Sequence, residues 1–129
     1  MHGMVEWTGG TSIVGTSADG KTLNFDWSSG PSPMQVTLQM IGACSLVDVV
    51  TGLKERPFQR VWIDLSTERS ETHPRIFTSI HMAYHVVGDV PLPLVERIVS
   101  KSHELYCSVS NMLRDDVIIT TEVQIHAPV

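Results

Sequence analysis

The segment from Ser32 to Pro57 limits the folds open to this chain more than any other feature. It predicts one long helix, because Ser32 can cap the first turn, Pro33 suits the first helical position, and Gln35 stands where a capping box needs it. The predicted helix runs to about Glu55, where Pro57 stops it.

Apolar side chains cover most of the circumference of this predicted helix. They are Val36, Leu38, Met40, Ile41, Ala43, Cys44, Leu46, Val47, Val49, Val50 and Leu53. A helix that is apolar nearly all round is buried on most sides. A chain of 129 residues can hardly bury it alone, so we expect a second subunit to cover part of it. Gln39 and Asp48 interrupt the apolar run, and no transmembrane helix is expected.

The rest of the chain predicts strands and one further helix. Period-two alternation and turn residues predict strands at Met4–Thr8, Thr11–Ser17, Lys21–Trp27, Arg60–Glu68, Arg75–Val87 and Val117–His126. An apolar stripe predicts a second helix from about Pro93 to Leu113. The order βββ-α-ββ-α-β, with long antiparallel hairpins and only two helices, indicates an α+β fold. The length predicts a single domain over residues 1–129.

Composition excludes several classes of function. The net charge of −5 provides no basic surface for nucleic acid. The N-terminus lacks the basic and apolar regions of a signal peptide, which predicts a cytoplasmic protein. No His/Cys cluster has zinc spacing, and no metal is expected.

The chemistry centres on Cys44 and Cys107, one in each predicted helix. Two interpretations remain open, because a free cysteine is often simply buried, whereas a cysteine pair in a reducing compartment is often redox-active. His103 precedes Cys107 by four residues and shares its face on a helix. Asp48 lies one turn after Cys44 and has to be paired, hydrated or protonated. It either makes an interhelical hydrogen bond across a dimer or lines a pocket.

The element order and the cysteine-bearing segments resemble the OsmC/Ohr superfamily, which comprises osmotically inducible protein C and the organic hydroperoxide resistance proteins. The matching segments are Gly30–Pro33, Gly42–Cys44, Ser45–Val50, Thr67–Arg69, Pro74–Thr78 and Glu104–Val109. The chain looks most similar to the OsmC-like branch with a Ser-Pro-Met helix start, rather than to the best-studied peroxidases.

The resemblance implies an intertwined homodimer in which antiparallel sheets wrap around two long central helices. It also implies a thiol site that reduces organic hydroperoxides, with Cys44 as the nucleophile and Cys107 as the resolving thiol. An external dithiol would restore both thiols, and the chemistry needs no cofactor because the thiols supply both electrons.

The chain departs from the family in the groups that activate the nucleophile. The active members use an arginine held by a glutamate early in the first helix. That glutamate position falls at Met34 or Gln35, and no arginine occurs before Arg56. Candidate activators or pocket residues are therefore His103, Asp48, Met34 and Gln35. The alternative function is a non-catalytic dimer that binds a small apolar molecule in its interface pocket.

Overall fold

The computed structural model describes residues 1–129. Its strands are β1 (Gly3–Gly9), β2 (Ser12–Ser17), β3 (Thr22–Asp26), β4 (Phe58–Arg69), β5 (Phe77–Gly88) and β6 (Ile118–His126), and its helices are α1 (Pro33–Gly52) and α2 (Leu92–Lys101). A π-helical turn (Ser102–Tyr106) and a 3-10 turn (Ser110–Met112) lie between α2 and β6. The chain divides into two compact units, Met1–Gln39 and Met40–Val129, and the division falls inside α1.

The first unit is an antiparallel meander in which β2 pairs with both β1 and β3. Asp26, the last residue of β3, organises the loop that leads to α1. Its carboxylate accepts a hydrogen bond from the Thr11 hydroxyl at 2.7 Å and from the amides of Ser28 and Ser29 at 2.9 Å each. These hydrogen bonds, that from Thr11 foremost, hold the pKa of Asp26 well below its usual range.

The start of α1 has the predicted capping box. The Ser32 amide donates to Oε1 of Gln35 at 2.8 Å, and the Gln35 amide donates to Oγ of Ser32 at 3.2 Å. Two of the free N–H groups at the helix start are thereby satisfied. The helix ends at Gly52, one turn before the predicted end near Glu55.

By length and composition alone, α1 would suffice to cross a membrane, although core helices of globular domains have the same properties.

The part of α1 that belongs to the second unit is closely packed. A Cβ added to Gly42 would lie 2.9 Å from Cδ1 of Leu65 in β4, and one added to Gly52 would lie 2.7 Å from Cδ1 of Ile98 in α2. The glycines therefore allow α1 to approach both neighbours.

The second sheet has the order β4-β5-β6. The hairpin β4–β5 is antiparallel, as predicted, but β6 runs parallel to β5, with Ser79 opposite Ile118. The expectation of purely antiparallel sheets is therefore wrong for this pair. A parallel neighbour needs a crossover connection, which α2 and the two turns after it provide. The element order and the α+β class remain as predicted.

The second helix is shorter than predicted, because α2 ends at Lys101 and not near Leu113. The Cys107 amide donates to the carbonyl of Ser102, five residues earlier, at 2.6 Å. This bond closes a π-helical turn, and Cys107 itself is extended, with φ −75° and ψ 97°. The spacing had predicted that His103 and Cys107 share one face of an α-helix. This prediction is wrong, because the α-helix ends before them.

Gly88, the last residue of β5, lies opposite Phe58 in a position that no larger residue fits. A Cβ there would lie 2.6 Å from Cα of Phe58 and 2.6 Å from the carbonyl oxygen of Pro57. Because both are backbone atoms, no side-chain rotation relieves the contact. We expect Gly88→Ala to lower the free energy of unfolding by about 3 kcal/mol in urea denaturation.

Gly3→Ala in β1 is the matched control, because its added Cβ would meet only an ordinary contact of 3.7 Å. It should leave the free energy of unfolding nearly unchanged. Equal stability of Gly88→Ala and wild type would contradict the close approach of β5 to the start of β4.

Candidate functional site

Both cysteines are free and lie in the second unit. Cys44 is half-buried in the middle of α1, whereas Cys107 is fully buried where the π-helical turn ends. Cys44 lies close enough to Cys107 to raise the pKa of its thiol. The structure thus brings together the two residues that the sequence singles out.

The surroundings of Cys107 favour its protonated form. Burial is the largest cause that raises the pKa of its thiol, and the adjacent Cys44 raises it further. Ser110 opposes this effect, because its hydroxyl and its amide both stabilise the thiolate. The Ser110 amide lies 3.4 Å from Sγ of Cys107. At neutral pH Cys107 is therefore a buried thiol that already has donors in place for its thiolate.

His103 lies between the Tyr84 and Ser110 hydroxyls, with both ring nitrogens hydrogen-bonded. Its Nε2 is 2.8 Å from the Tyr84 hydroxyl, and its Nδ1 is 3.0 Å from Oγ of Ser110. Burial lowers the pKa of His103, and the negative charge of Asp48 opposes this only in part. The candidate activator is therefore a neutral imidazole rather than a cation.

A row of buried hydroxyl groups leads from His103 to Asp48. The Tyr84 hydroxyl lies 2.5 Å from Oγ of Ser45, which lies 2.9 Å from Oγ of Ser102. Ser102 donates to Oδ2 of Asp48 at 2.6 Å. Tyr84, Ser45 and Ser102 are fully buried, and burial raises the pKa of Tyr84 well above its usual range. The phenol is therefore protonated at neutral pH.

Asp48 also lines a cleft of about 440 Å³ between the end of α1 and α2. The other lining residues are Thr51, Gly52, Leu94, Arg97, Ile98, Lys101 and Tyr106. Of the two roles considered for Asp48, the structure has it lining a pocket, and its hydrogen bond comes from Ser102 of the same chain. The cleft combines an apolar wall with two cations and one carboxylate.

The remaining candidates, Met34 and Gln35, belong to the first unit. The side-chain oxygen of Gln35 is used in the capping box, and Met34 is half-buried in the first turn of α1. No three His, Cys, Asp or Glu side chains are grouped so that they hold a metal ion.

The sequence analysis did not predict that Tyr84, Ser102 and Ser110 form hydrogen bonds in the site. The sequence did contain one indication of this, because Ser102 occupies a position in the apolar stripe of the predicted second helix. A polar residue at a core position has to find a buried partner, and that partner is part of the site.

The chain matches the family model described as OsmC-like protein over residues 26–122. It is a member of the OsmC-like family. Protein YhfA of Escherichia coli K12 is 38% identical to this OsmC-like chain over 133 residues, covering 98% of the chain and 99% of YhfA. The resemblance drawn from the cysteine-bearing segments is thereby confirmed.

Solved structures share the OsmC-like fold. A hypothetical protein from Aquifex aeolicus VF5 is 30% identical, with a TM-score of 0.84 and coverage of 96% of each chain. The organic hydroperoxide resistance protein OhrB of Bacillus subtilis is 22% identical, with a TM-score of 0.62 over 96% of this chain and 98% of OhrB. At that identity the likeness to OhrB concerns the fold alone.

Proposed function

We propose that this OsmC-like protein reduces organic hydroperoxides, with Cys44 as the attacking thiol and Cys107 as the resolving thiol. The observation that carries the proposal is the proximity of two free thiols, which is close enough for Cys44 to raise the pKa of Cys107. The shared fold with a hydroperoxide resistance protein adds support.

The chemistry balances with these two thiols and one external reductant. The Cys44 thiolate attacks the O–O bond of the hydroperoxide, takes one oxygen as a sulfenic acid and releases an alkoxide, which gains a proton and leaves as an alcohol. Cys107 then attacks the Cys44 sulfur, and hydroxide leaves and becomes water as the disulfide forms. An external dithiol reduces the disulfide and regenerates both thiols.

The different burial of the thiols fits the division of roles. Cys44 is half-buried, so a substrate can approach its sulfur, whereas Cys107 is fully buried and protonated at rest. A buried thiol with a raised pKa reacts poorly with free peroxide. It still reacts when the electrophile, a sulfenic acid on Cys44, is generated beside it.

We propose that the active form is a homodimer in the cytoplasm. Three large apolar side chains of α1 are exposed in the single chain, namely Met40 by 45%, Val47 by 63% and Val50 by 41%. A second copy of the chain would remove this surface from water and so favour association. The proposal involves neither nucleic acid nor a membrane.

Turnover of cumene hydroperoxide with excess dithiothreitol tests the proposed function. We expect Cys44→Ser to reduce peroxide consumption to the reductant blank, because the remaining thiol, Cys107, is fully buried and its pKa is raised. Ser108→Ala is the matched control, since Ser108 is exposed next to Cys107 and should leave turnover unchanged. Wild-type protein that consumes no peroxide and keeps both thiols free would contradict the proposal.

One observation favours the alternative, a non-catalytic protein that binds a small apolar molecule. The cleft beside Asp48 has a volume of about 440 Å³, and Leu94 and Ile98 contribute to its lining. Wild type would then bind an apolar fluorescent probe such as 1-anilinonaphthalene-8-sulfonate at one site per chain, and Ile98→Glu would abolish the binding. Both thiols would stay reduced in hydroperoxide.

A further inference from the structure

A row of hydrogen-bonded side chains connects Ser110, whose amide lies 3.4 Å from Sγ of Cys107, with the cleft. From the thiol outward, its members are Ser110, His103, Tyr84, Ser45, Ser102 and Asp48. The side-chain contacts from Ser110 to Asp48 are between 2.5 and 3.0 Å long. No buried side-chain nitrogen or oxygen in the chain lacks a partner. Each neutral member can both donate and accept, which proton transfer along a row requires.

The hydrogens in this row all point the same way. A carboxylate only accepts, so Ser102 donates its single hydroxyl hydrogen to Asp48. Ser45 then has to donate to Ser102, and Tyr84 has to donate to Ser45. With the phenol hydrogen used, the Tyr84 oxygen can only accept, and Nε2 of His103 has to carry the hydrogen between them.

Assigning one hydrogen to each bond also fixes the direction of the hydrogen bonds at the end of the row near Cys107. In a neutral imidazole with hydrogen on Nε2, Nδ1 is an acceptor. The Ser110 hydroxyl lies 3.0 Å from Nδ1 of His103 and 3.4 Å from the carbonyl of Cys107, so its hydrogen goes to the imidazole. The Ser110 oxygen then keeps a lone pair for the hydrogen of the neighbouring Cys107 thiol, whose sulfur lies 3.4 Å from the Ser110 amide.

We propose that this row carries a proton from the Cys107 thiol to Asp48 when Cys107 attacks the sulfenic acid on Cys44. The inference rests on the proposed function. Each member passes on one proton and receives one, so that Cys107 becomes a thiolate and Asp48 a carboxylic acid. Asp48 then releases its proton to water in the cleft. The hydroxide expelled from Cys44 takes up a proton from solvent, and the balance is one disulfide and one water.

The charged groups around the two ends suit this direction of transfer. Arg97 and Lys101 of α2 line the cleft with Asp48, so two cations face the end of the row at which the proton leaves. Glu96 and Glu104 line a separate cleft of about 370 Å³ that His103 also lines. Lys101 pairs with Glu104 at 3.4 Å. Burial keeps the imidazole neutral, so a proton that reaches His103 moves on instead of remaining there.

The tautomer of His103 tests the direction without any substitution. In nitrogen-15 NMR spectra of the wild-type protein near neutral pH, we expect hydrogen on Nε2 and an unprotonated Nδ1. Hydrogen on Nδ1 would reverse the row and overturn the proposal. This measurement needs no peroxide, so it is independent of whether the proposed function holds.

Two substitutions test the transfer itself. Tyr84→Phe removes one hydroxyl from the row and keeps the ring, and Ser45→Ala breaks it one step further on. In single turnovers with cumene hydroperoxide, each should slow disulfide formation about tenfold or more and leave sulfenic acid formation on Cys44 unchanged. Ser108→Ala should slow neither step.

The pH dependence of the rate of disulfide formation distinguishes a role in proton transfer from a role in packing. Where the row is broken, disulfide formation should regain speed as pH rises, because hydroxide then removes the Cys107 proton directly. A loss that is the same at every pH would indicate a merely structural role, and unchanged disulfide formation in Tyr84→Phe would likewise overturn the relay. If wild type forms no sulfenic acid on Cys44, the proposed function is wrong. The proton transfer proposed for the attack of Cys107 is then also wrong, whichever tautomer His103 has.

Discussion

Cys107→Ser protein is expected to react once with an organic hydroperoxide and then stop. Cys44 still takes up oxygen as a sulfenic acid, but no neighbouring thiol is present to form the disulfide. With a reductant that acts only on disulfides, sustained turnover should fall by at least about a hundredfold. Dimedone should label one sulfenic acid per chain, at Cys44, as measured by mass spectrometry of tryptic peptides.

The serine is a close match in size for the fully buried Cys107, which limits any loss of packing. Cys44→Ser is the control for the label, because it lacks the attacking sulfur and should give no dimedone adduct. Sustained turnover by Cys107→Ser would contradict the resolving role. An adduct on Cys107 in Cys44→Ser would contradict the assignment of the attacking thiol.

Val47→Glu is expected to separate the proposed dimer into single chains of 14.3 kDa in light scattering. Val47 is 63% exposed in the isolated chain, so a glutamate there meets no obstacle within one copy. In an interface built on α1, the same carboxylate would be buried without a partner, which costs several kcal/mol. Wild type should scatter as about twice the mass of one chain.

Leu92→Glu provides the control for the added charge, because Leu92 is also an exposed apolar residue but begins α2 instead. It should keep the mass of the wild type. A wild-type protein with the mass of one chain, or an unchanged mass in Val47→Glu, would remove α1 from the interface.

The parts of the fold that the sequence predicted are those fixed by contacts close together in the chain. The start of α1 depends on Ser32 and Gln35, which are three residues apart and satisfy each other. The β4–β5 hairpin likewise depends on alternation in two adjacent segments. Such local signals do not change with the rest of the structure.

The end of α2 could not be predicted in the same way. The apolar stripe continues past Lys101, and no proline or glycine marks the point where the α-helix stops. The helix changes there because the Cys107 amide bonds to Ser102 while the Ser102 hydroxyl reaches Asp48. The second of these bonds depends on the position of α1 beside α2, which the local pattern does not contain.

The sequence indicated several residues that lie in the candidate site, but not the hydrogen bonds that connect them. Cys44, Cys107, His103 and Asp48 were chosen from residue type and spacing. Tyr84 joins them only because β5 lies against the helices, since its partners Ser45 and His103 are distant in sequence or on another element. Alternation on a strand does not indicate which helix residue a buried tyrosine will meet.

The parallel pairing of β5 with β6 has a consequence for the order in which the chain folds. The β4–β5 hairpin joins neighbouring segments, whereas β6 can pair with β5 only after α2 and both irregular turns have been looped out. Closing the longer loop costs more conformational entropy, and non-local pairing is slow. We therefore expect β6 to dock last. Until it does, the segment that carries Cys107 is held at one end only, and we expect this thiol to be more accessible to oxidants in a newly made chain than in the folded protein, where it is fully buried.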